Sequence, residues 1–248
     1  MPGSLEKIAS QFAVEGRFLS SEPITNGLIN ATHLVSCEDS SGHTRRYIFQ
    51  CLNTQVFPEP FKVMDNVATV TQFLQDQVVP EESQKVSRAL QLIPTHTGEN
   101  YLQGEENDLW RCFNYIEGCI SFDTCENEQV AYEAAKGFGA FLHQVEGIPA
   151  AQLHETIVDF HHTVRRYQQL SKAIEEDTQG RVVAVQKEIH FIQQRKELCS
   201  LLVDQIEAKV IPVRVTHNDT KVNNVMLERS CVSSSCALMV VLTRSPKS

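Results

Sequence analysis

The residues of this chain best suited to chemistry lie in the stretch Val215-Thr-His-Asn-Asp-Thr-Lys-Val-Asn-Asn-Val-Met-Leu227. Moving a phosphoryl group onto a hydroxyl requires a carboxylate to take the hydroxyl proton and, a fixed distance away, an oxygen donor for Mg²⁺. His217-Asn-Asp219, with Asn224 following, has both: Asp219 is the candidate base and Asn224 the candidate metal ligand. Lys221 follows closely after Asp219, where a cation could meet a transferring phosphate. Apolar Val213, Val215, Val225 and Leu227 flank this polar centre, so two short buried segments are expected to hold a rigid loop between them. The plainer alternative is a polar turn between two strands in which His217 and Asp219 only bond local backbone.

Such a loop needs a scaffold, and the preceding sequence divides into elements that could form one. Leu5, Ile8, Ala9 and Phe12 recur at helical spacing and predict a short amphipathic helix over 4–15. Ile24, Leu28-Ile29, Leu34-Val35 and Tyr47-Ile-Phe49, divided by Asn26-Gly27 and by Glu38-Asp-Ser-Ser-Gly42, read as three antiparallel strands with two turns. Met64, Val67, Val70, Phe73 and Leu74 follow a helical period over 61–78, with Asp65 on the polar face. Leu90–Ile93 and Leu109–Ile116 read as two more strands, joined by the polar stretch 95–108. Beyond Gly118 the pattern turns helical: 126–146, where Gly137 and Gly139 would admit a neighbouring helix, then 151–172 and 181–209.

On these residues the chain resembles the aminoglycoside phosphotransferase superfamily of protein-kinase-like small-molecule kinases, and within it the branch of N-acetylhexosamine 1-kinases. The resemblance is carried by His217–Asn224, Asn26-Gly-Leu-Ile-Asn-Ala-Thr32, Tyr47-Ile-Phe-Gln-Cys-Leu-Asn53 leading into Val56-Phe57, Trp110-Arg111 with Tyr115-Ile-Glu-Gly118, and Phe160-His-His-Thr163 with Arg166-Tyr167. It runs from about residue 20 to Leu227 and implies a family member shortened at its C-terminus. The implied architecture is α+β and two-lobed: a five-stranded antiparallel N-lobe over 1–117 and an incomplete helical C-lobe over 118–248. The implied cofactors are ATP and Mg²⁺, and the implied partner is a small-molecule acceptor, a sugar or an amino alcohol. Gly27 would let the first turn approach the phosphates, with Asn30 and Thr32 adding polar contacts, and Tyr115 and Glu117 would form the hinge beside adenine. The segment around His161 and His162 would face the acceptor; adjacent helical histidines point about 100° apart and make a poor metal pair.

Two departures stand out against that pattern. Kinases place a Lys on the third strand to grip phosphates, whereas Tyr47-Ile-Phe-Gln-Cys-Leu52 has none, leaving Cys51 where the branch often has Arg and leaving Arg46 or Lys62 as substitutes. The residues after Asn224 contain no Asp to hold Mg²⁺ between phosphates, and Glu228 is their only carboxylate. Two outcomes are therefore expected: a working small-molecule kinase, or a catalytically impaired kinase-like chain that serves as a binding module or has no function of its own.

Composition bounds the remaining classes. A net charge of -9 argues against a nucleic-acid partner, which would need clustered Lys and Arg. The first residues lack a basic stretch followed by an apolar core, and no apolar run reaches the roughly 18 residues of a membrane span, so a cytoplasmic protein without a membrane partner is expected. Eight cysteines at irregular spacing read as reduced thiols. Cys231 and Cys236 alone do not make a zinc site.

Overall fold

The computed structural model describes residues 2–25, 29–77, 90–104, 108–228 and 237–239. After a short helix α1 (Pro2–Ala9), three strands, β1 (Arg17–Ile24), β2 (Ala31–Glu38) and β3 (Thr44–Cys51), run as an antiparallel meander. Its second turn is built by Asp39, whose Oδ1 accepts the N–H groups of Ser41 and His43 at 2.9 Å each, the local bonding that favours Asp in turns. Helix α2 (Pro60–Asp76) starts on Pro60, whose fixed φ suits a first turn, and is followed by β4 (Leu92–Ile93), β5 (Leu102–Gln103) and β6 (Leu109–Asn114). β6 pairs with β3 along one edge and with both β4 and β5 along the other. The sheet therefore has six strands among the described residues, not five. The extra one, β5, lies in the stretch read as a polar hairpin, because Leu102 packs beside its partner Trp110 and extends along an edge that β4 leaves open.

The pleat sorts side chains onto two faces. Val35, Cys37, Tyr47, Phe49, Trp110 and Cys112 join Leu5 and Ala9 of α1 in one core. The predicted helix over 4–15 stops at Ala9, since Phe12 pairs instead with Thr95 as an isolated bridge. There its ring stands edge-on to Phe49 at a centroid distance of 5.3 Å, so the helical spacing of Phe12 reflects sheet packing. On the other face Leu52, Leu109 and Phe113 meet Val63, Met64, Val67 and Val70 of α2. Each such fully buried side chain contributes about 1.5–3 kcal/mol.

That second core continues into the helical part. Helix α3 (Glu128–Gln144), capped by Asn127 whose side chain accepts from Val130 N at 3.0 Å, adds Phe141, and Val145, Ile148 and Leu153 follow. A side chain at Gly139 would meet open space, so among the described residues no helix approaches there. The next helix, α4 (Thr163–Glu176), begins twelve residues after the predicted 151. The cause lies in α2: Asn66 donates to His154 O at 2.8 Å and accepts from His154 N at 2.7 Å, taking that peptide out of any helical ladder.

The helix predicted over 181–209 is divided into α5 (Gln186–Gln193) and α6 (Leu201–Glu207) by tighter turns. Ile189 is the one buried residue of these two helices, while Leu198, Leu201 and Leu202 are exposed, so packing does not straighten the segment. A second, three-stranded sheet has β7 (Cys119–Ile120), β8 (Val225–Glu228) and β9 (Ala237–Met239) in that order, and β8 leads directly out of the candidate loop. Val225 and Leu227 of β8 pack on Val130 and Ala134 of α3. Among the described residues no helix is long and apolar enough to cross a membrane, and no disulfide links the six described cysteines to one another. Cys231 and Cys236 lie outside the described residues.

Candidate functional site

The loop predicted from spacing is held at both ends by burial. Val215 belongs to the core beneath α2, and Val225 and Leu227 to the core beneath α3, whereas Val213 is exposed and contributes no anchor. His217, only 2% exposed, sits edge-on to Phe138 at 5.5 Å and to Phe141 at 6.0 Å. Its Nδ1 accepts the backbone N–H of Asp219 at 3.2 Å, so His217 does bond local backbone as the plainer reading required. The intervening Asn218 has φ 62°, a left-handed conformation that Asn tolerates best among residues with a side chain. Thr216 Oγ1 donates to Asn218 Oδ1 at 2.6 Å, and His161 Nε2 donates to Asn218 O at 2.7 Å.

Asp219 itself is not consumed by the backbone. Asn224, at the end of a single 3-10 turn (Val222–Asn224), donates Nδ2 to Asp219 Oδ2 at 2.8 Å and to Asp219 O at 2.7 Å. Lys221 Nζ stands 3.4 Å from the same Oδ2. The structure thus brings Asp219, Lys221 and Asn224 into one cluster, and Asp219 Oδ1 has no hydrogen-bond partner among the described residues. With its amide nitrogen committed, Asn224 keeps Oδ1 as an oxygen donor beside the carboxylate. An amide oxygen next to a carboxylate fits Mg²⁺, which takes few protein oxygens and fills its shell from phosphate and water. No group of three or more His, Cys, Asp or Glu residues that could cage a metal occurs among the described residues.

The other predicted residues are spread along the sheet and its exit. Gly27 lies outside the described residues. Asn30 Oδ1 accepts Asn53 N at 3.0 Å, tying the start of β2 to the end of β3, and Thr32 Oγ1 accepts from Gln50 Nε2 at 3.1 Å. Tyr115 and Glu117 are both engaged by Arg46: its guanidinium lies 4.3 Å over the Tyr115 ring and forks onto Glu117, with Nε donating to Oε1 at 2.8 Å. The Glu117 carboxylate holds the Arg46 guanidinium above its ordinary pKa. Gly118, with φ 75°, then turns the chain into β7.

The missing cation on β3 looks different once the faces are known. Cys51 points to the α1 side with Phe49, so an Arg there would not face α2, whereas Gln50 shares the α2 side with Ile48 and Leu52. Of the proposed substitutes, Arg46 is paired with Glu117 and Lys62 with Glu59 at 2.6 Å. On the adjacent strand β6 a guanidinium, that of Arg111, lies beside Gln50. Gln50 is the register partner of both Thr32 and Arg111. Its Oε1 accepts Arg111 Nε at 3.0 Å and Nη2 at 2.9 Å. Arg111 is 3% exposed, and burial pushes its pKa down to about 10. Its sequence signal was a lone charge inside Leu109-Trp-Arg-Cys-Phe113, an otherwise apolar strand.

This architecture, an antiparallel sheet lobe joined to a helical part that carries the loop, is the kinase-like fold of aminoglycoside phosphotransferases, and known structures bear it out. Spectinomycin phosphotransferase APH(9)-Ia, solved with ADP and spectinomycin, matches with a TM-score of 0.55 at 13% identity, over 100% of this chain and 71% of that one. An aminoglycoside phosphotransferase from Alicyclobacillus acidocaldarius gives 0.54 at 12% identity, over 100% and 68%. The amicoumacin kinase hAmiN, solved in complex with AMP-PNP, Ca²⁺ and Ami, gives 0.50 at 12% identity, over 96% and 62%. No protein-family model matches the chain.

Proposed function

We propose that the chain is an ATP-dependent phosphotransferase acting on a hydroxyl of a small molecule, an N-acetylhexosamine-type sugar in the first instance. The observation that carries the proposal is the state of Asp219: one carboxylate oxygen is fixed by Asn224 and Lys221, and the other is open to accept a hydroxyl proton. Fixing one oxygen orients the base, and positioning is most of what phosphoryl transfer needs from a protein. Lys221 supplies positive charge beside the carboxylate, where negative charge on the transferring group would develop. Asn224 Oδ1 would be a ligand of Mg²⁺, which when bound offsets phosphate charge. His161, bonded to the loop backbone at Asn218, puts the start of α4 beside the base, where an acceptor would lie. Solved neighbours of the same fold carry ADP or AMP-PNP, which supports a nucleotide as the donor.

A second reading, an impaired kinase-like binding module, is favoured by one sequence fact: residues 225–248 contain no Asp. Coupled ADP release from Mg-ATP, with a panel of N-acetylhexosamines, hexoses, choline and an aminoglycoside, separates the two. Turnover that depends on one acceptor and disappears in Asp219→Asn supports the phosphotransferase. Folded protein that turns over none of them leaves the binding module.

A further inference from the structure

On the α2 side of the sheet, Thr32, Gln50 and Arg111 occupy neighbouring register positions on β2, β3 and β6 and form one hydrogen-bonded row. Leu109 and Phe113 flank Arg111 on the same face, and its guanidinium lies 5.1 Å from the Phe113 ring. A buried cation normally has a carboxylate partner, because leaving it without one costs several kcal/mol. Arg111 has no carboxylate within ion-pair distance among the described residues, and its acceptor is a neutral amide oxygen. Glutamate at position 50 would satisfy the guanidinium in the same geometry. Glutamine instead orients it by two N–H bonds and leaves the full positive charge for another anion.

Where that charge lies is set by the strand register. Thr32 pairs with Ile24, the last residue of β1, so the row sits at the end of the sheet where β1 ends and β2 begins. Asn30 holds the same end of the sheet through Asn53. A guanidinium presents its N–H groups as a planar fork that matches phosphate oxygens, which suits it to this place better than a lone ammonium.

We infer that Arg111, oriented by Gln50, binds the α- or β-phosphate of the nucleotide, supplying from β6 the cation that β3 lacks. The inference rests on the nucleotide-dependent reading above. Three ligands distinguish its parts in titration calorimetry with the full chain: ADP, adenosine and inorganic tripolyphosphate. The wild type should bind ADP more tightly than adenosine and should also bind tripolyphosphate. Arg111→Met should weaken ADP and tripolyphosphate about ten- to a hundredfold, the worth of a charged hydrogen bond, and leave adenosine unchanged.

Gln50→Glu guards against a variant that merely misfolds. It places a carboxylate on the two N–H donors already aimed at that site, so it should raise the melting temperature while weakening ADP binding. A purely structural Arg111 predicts the same rise in melting temperature with ADP affinity untouched, and that result overturns the inference. A wild type that binds ADP no better than adenosine overturns it too, yet leaves the nucleotide reading standing. A wild type that binds neither nucleotide nor tripolyphosphate sinks both. Tripolyphosphate binding lost in Arg111→Met, in a protein without turnover, supports the anion site while the phosphotransferase reading fails.

Discussion

Asn224 grips Asp219 twice with one nitrogen, donating Nδ2 to the carboxylate at 2.8 Å and to the backbone carbonyl of the same residue at 2.7 Å. The first bond orients the base and the second closes the turn that carries it. Because one amide does both, the candidate metal ligand and the candidate base cannot move independently.

Removing that amide should therefore affect more than metal affinity. Asp219→Asn removes the proton acceptor and is expected to lower kcat by about 10²- to 10⁴-fold, the usual worth of a general base. Asn224→Ala should lower kcat as well and raise the Mg²⁺ concentration needed for half-maximal rate. Steady-state assays across a Mg²⁺ series check this. A variant altered only in its Mg²⁺ requirement would show that the bond to Oδ2 does not position the base.

His217 supports the loop from beneath, through two aromatic edges and its bond from Asp219 N. His217→Phe keeps an apolar ring of similar size and removes the acceptor, leaving a backbone N–H unpaired. The expected loss is about 1–3 kcal/mol of stability, measured by urea unfolding. Loss within error would mean that Asp219 N finds another acceptor or water.

Asn66 ties α2 to the segment after α3 by two bonds to the peptide groups of His154. Asn66 is itself 1% exposed, so Asn66→Leu leaves the part-buried N–H and C=O of His154 without these partners. The expected cost is about 2–4 kcal/mol, at the high end for a single substitution. Urea unfolding checks the loss, and amide exchange at residues 153–155 should rise before exchange in the sheet does.

The strands and the loop were legible because their signals are local: alternation in β2 and β3, helical period in α2, and fixed spacing from His217 to Asn224. What was not legible came from partners far apart in sequence. The late start of α4 follows from Asn66, 88 residues before His154. The place of the buried Arg111 guanidinium follows from its pairing with Gln50, 61 residues apart. Cys51 drew attention by position in a pattern, yet strand parity alone places it with Phe49, away from the face that Gln50 shares with Leu52. The apolar period over 181–209 had no such arbiter, since only Ile189 there is buried and nothing in the local sequence explains where the helix breaks.

Asp39 gives the sheet a pH dependence whose sign can be worked out. Its carboxyl lies below the ordinary value of 3.8, chiefly because it accepts the His43 backbone N–H, with Ser41 N and the Arg45 side chain also donating to it. The unfolded chain, lacking those donors, takes up the proton first as pH falls. The stabilisation is therefore fully present above about 3.8 and is lost as pH falls through the lower folded value. Asp39→Ala should melt at a lower temperature than wild type at pH 7, and the gap should shrink below pH 3.8. Thermal unfolding followed by circular dichroism between pH 2 and pH 7 measures it. A gap that stays constant through that range would assign the effect of Asp39 to turn propensity, not to the charged form of its carboxylate.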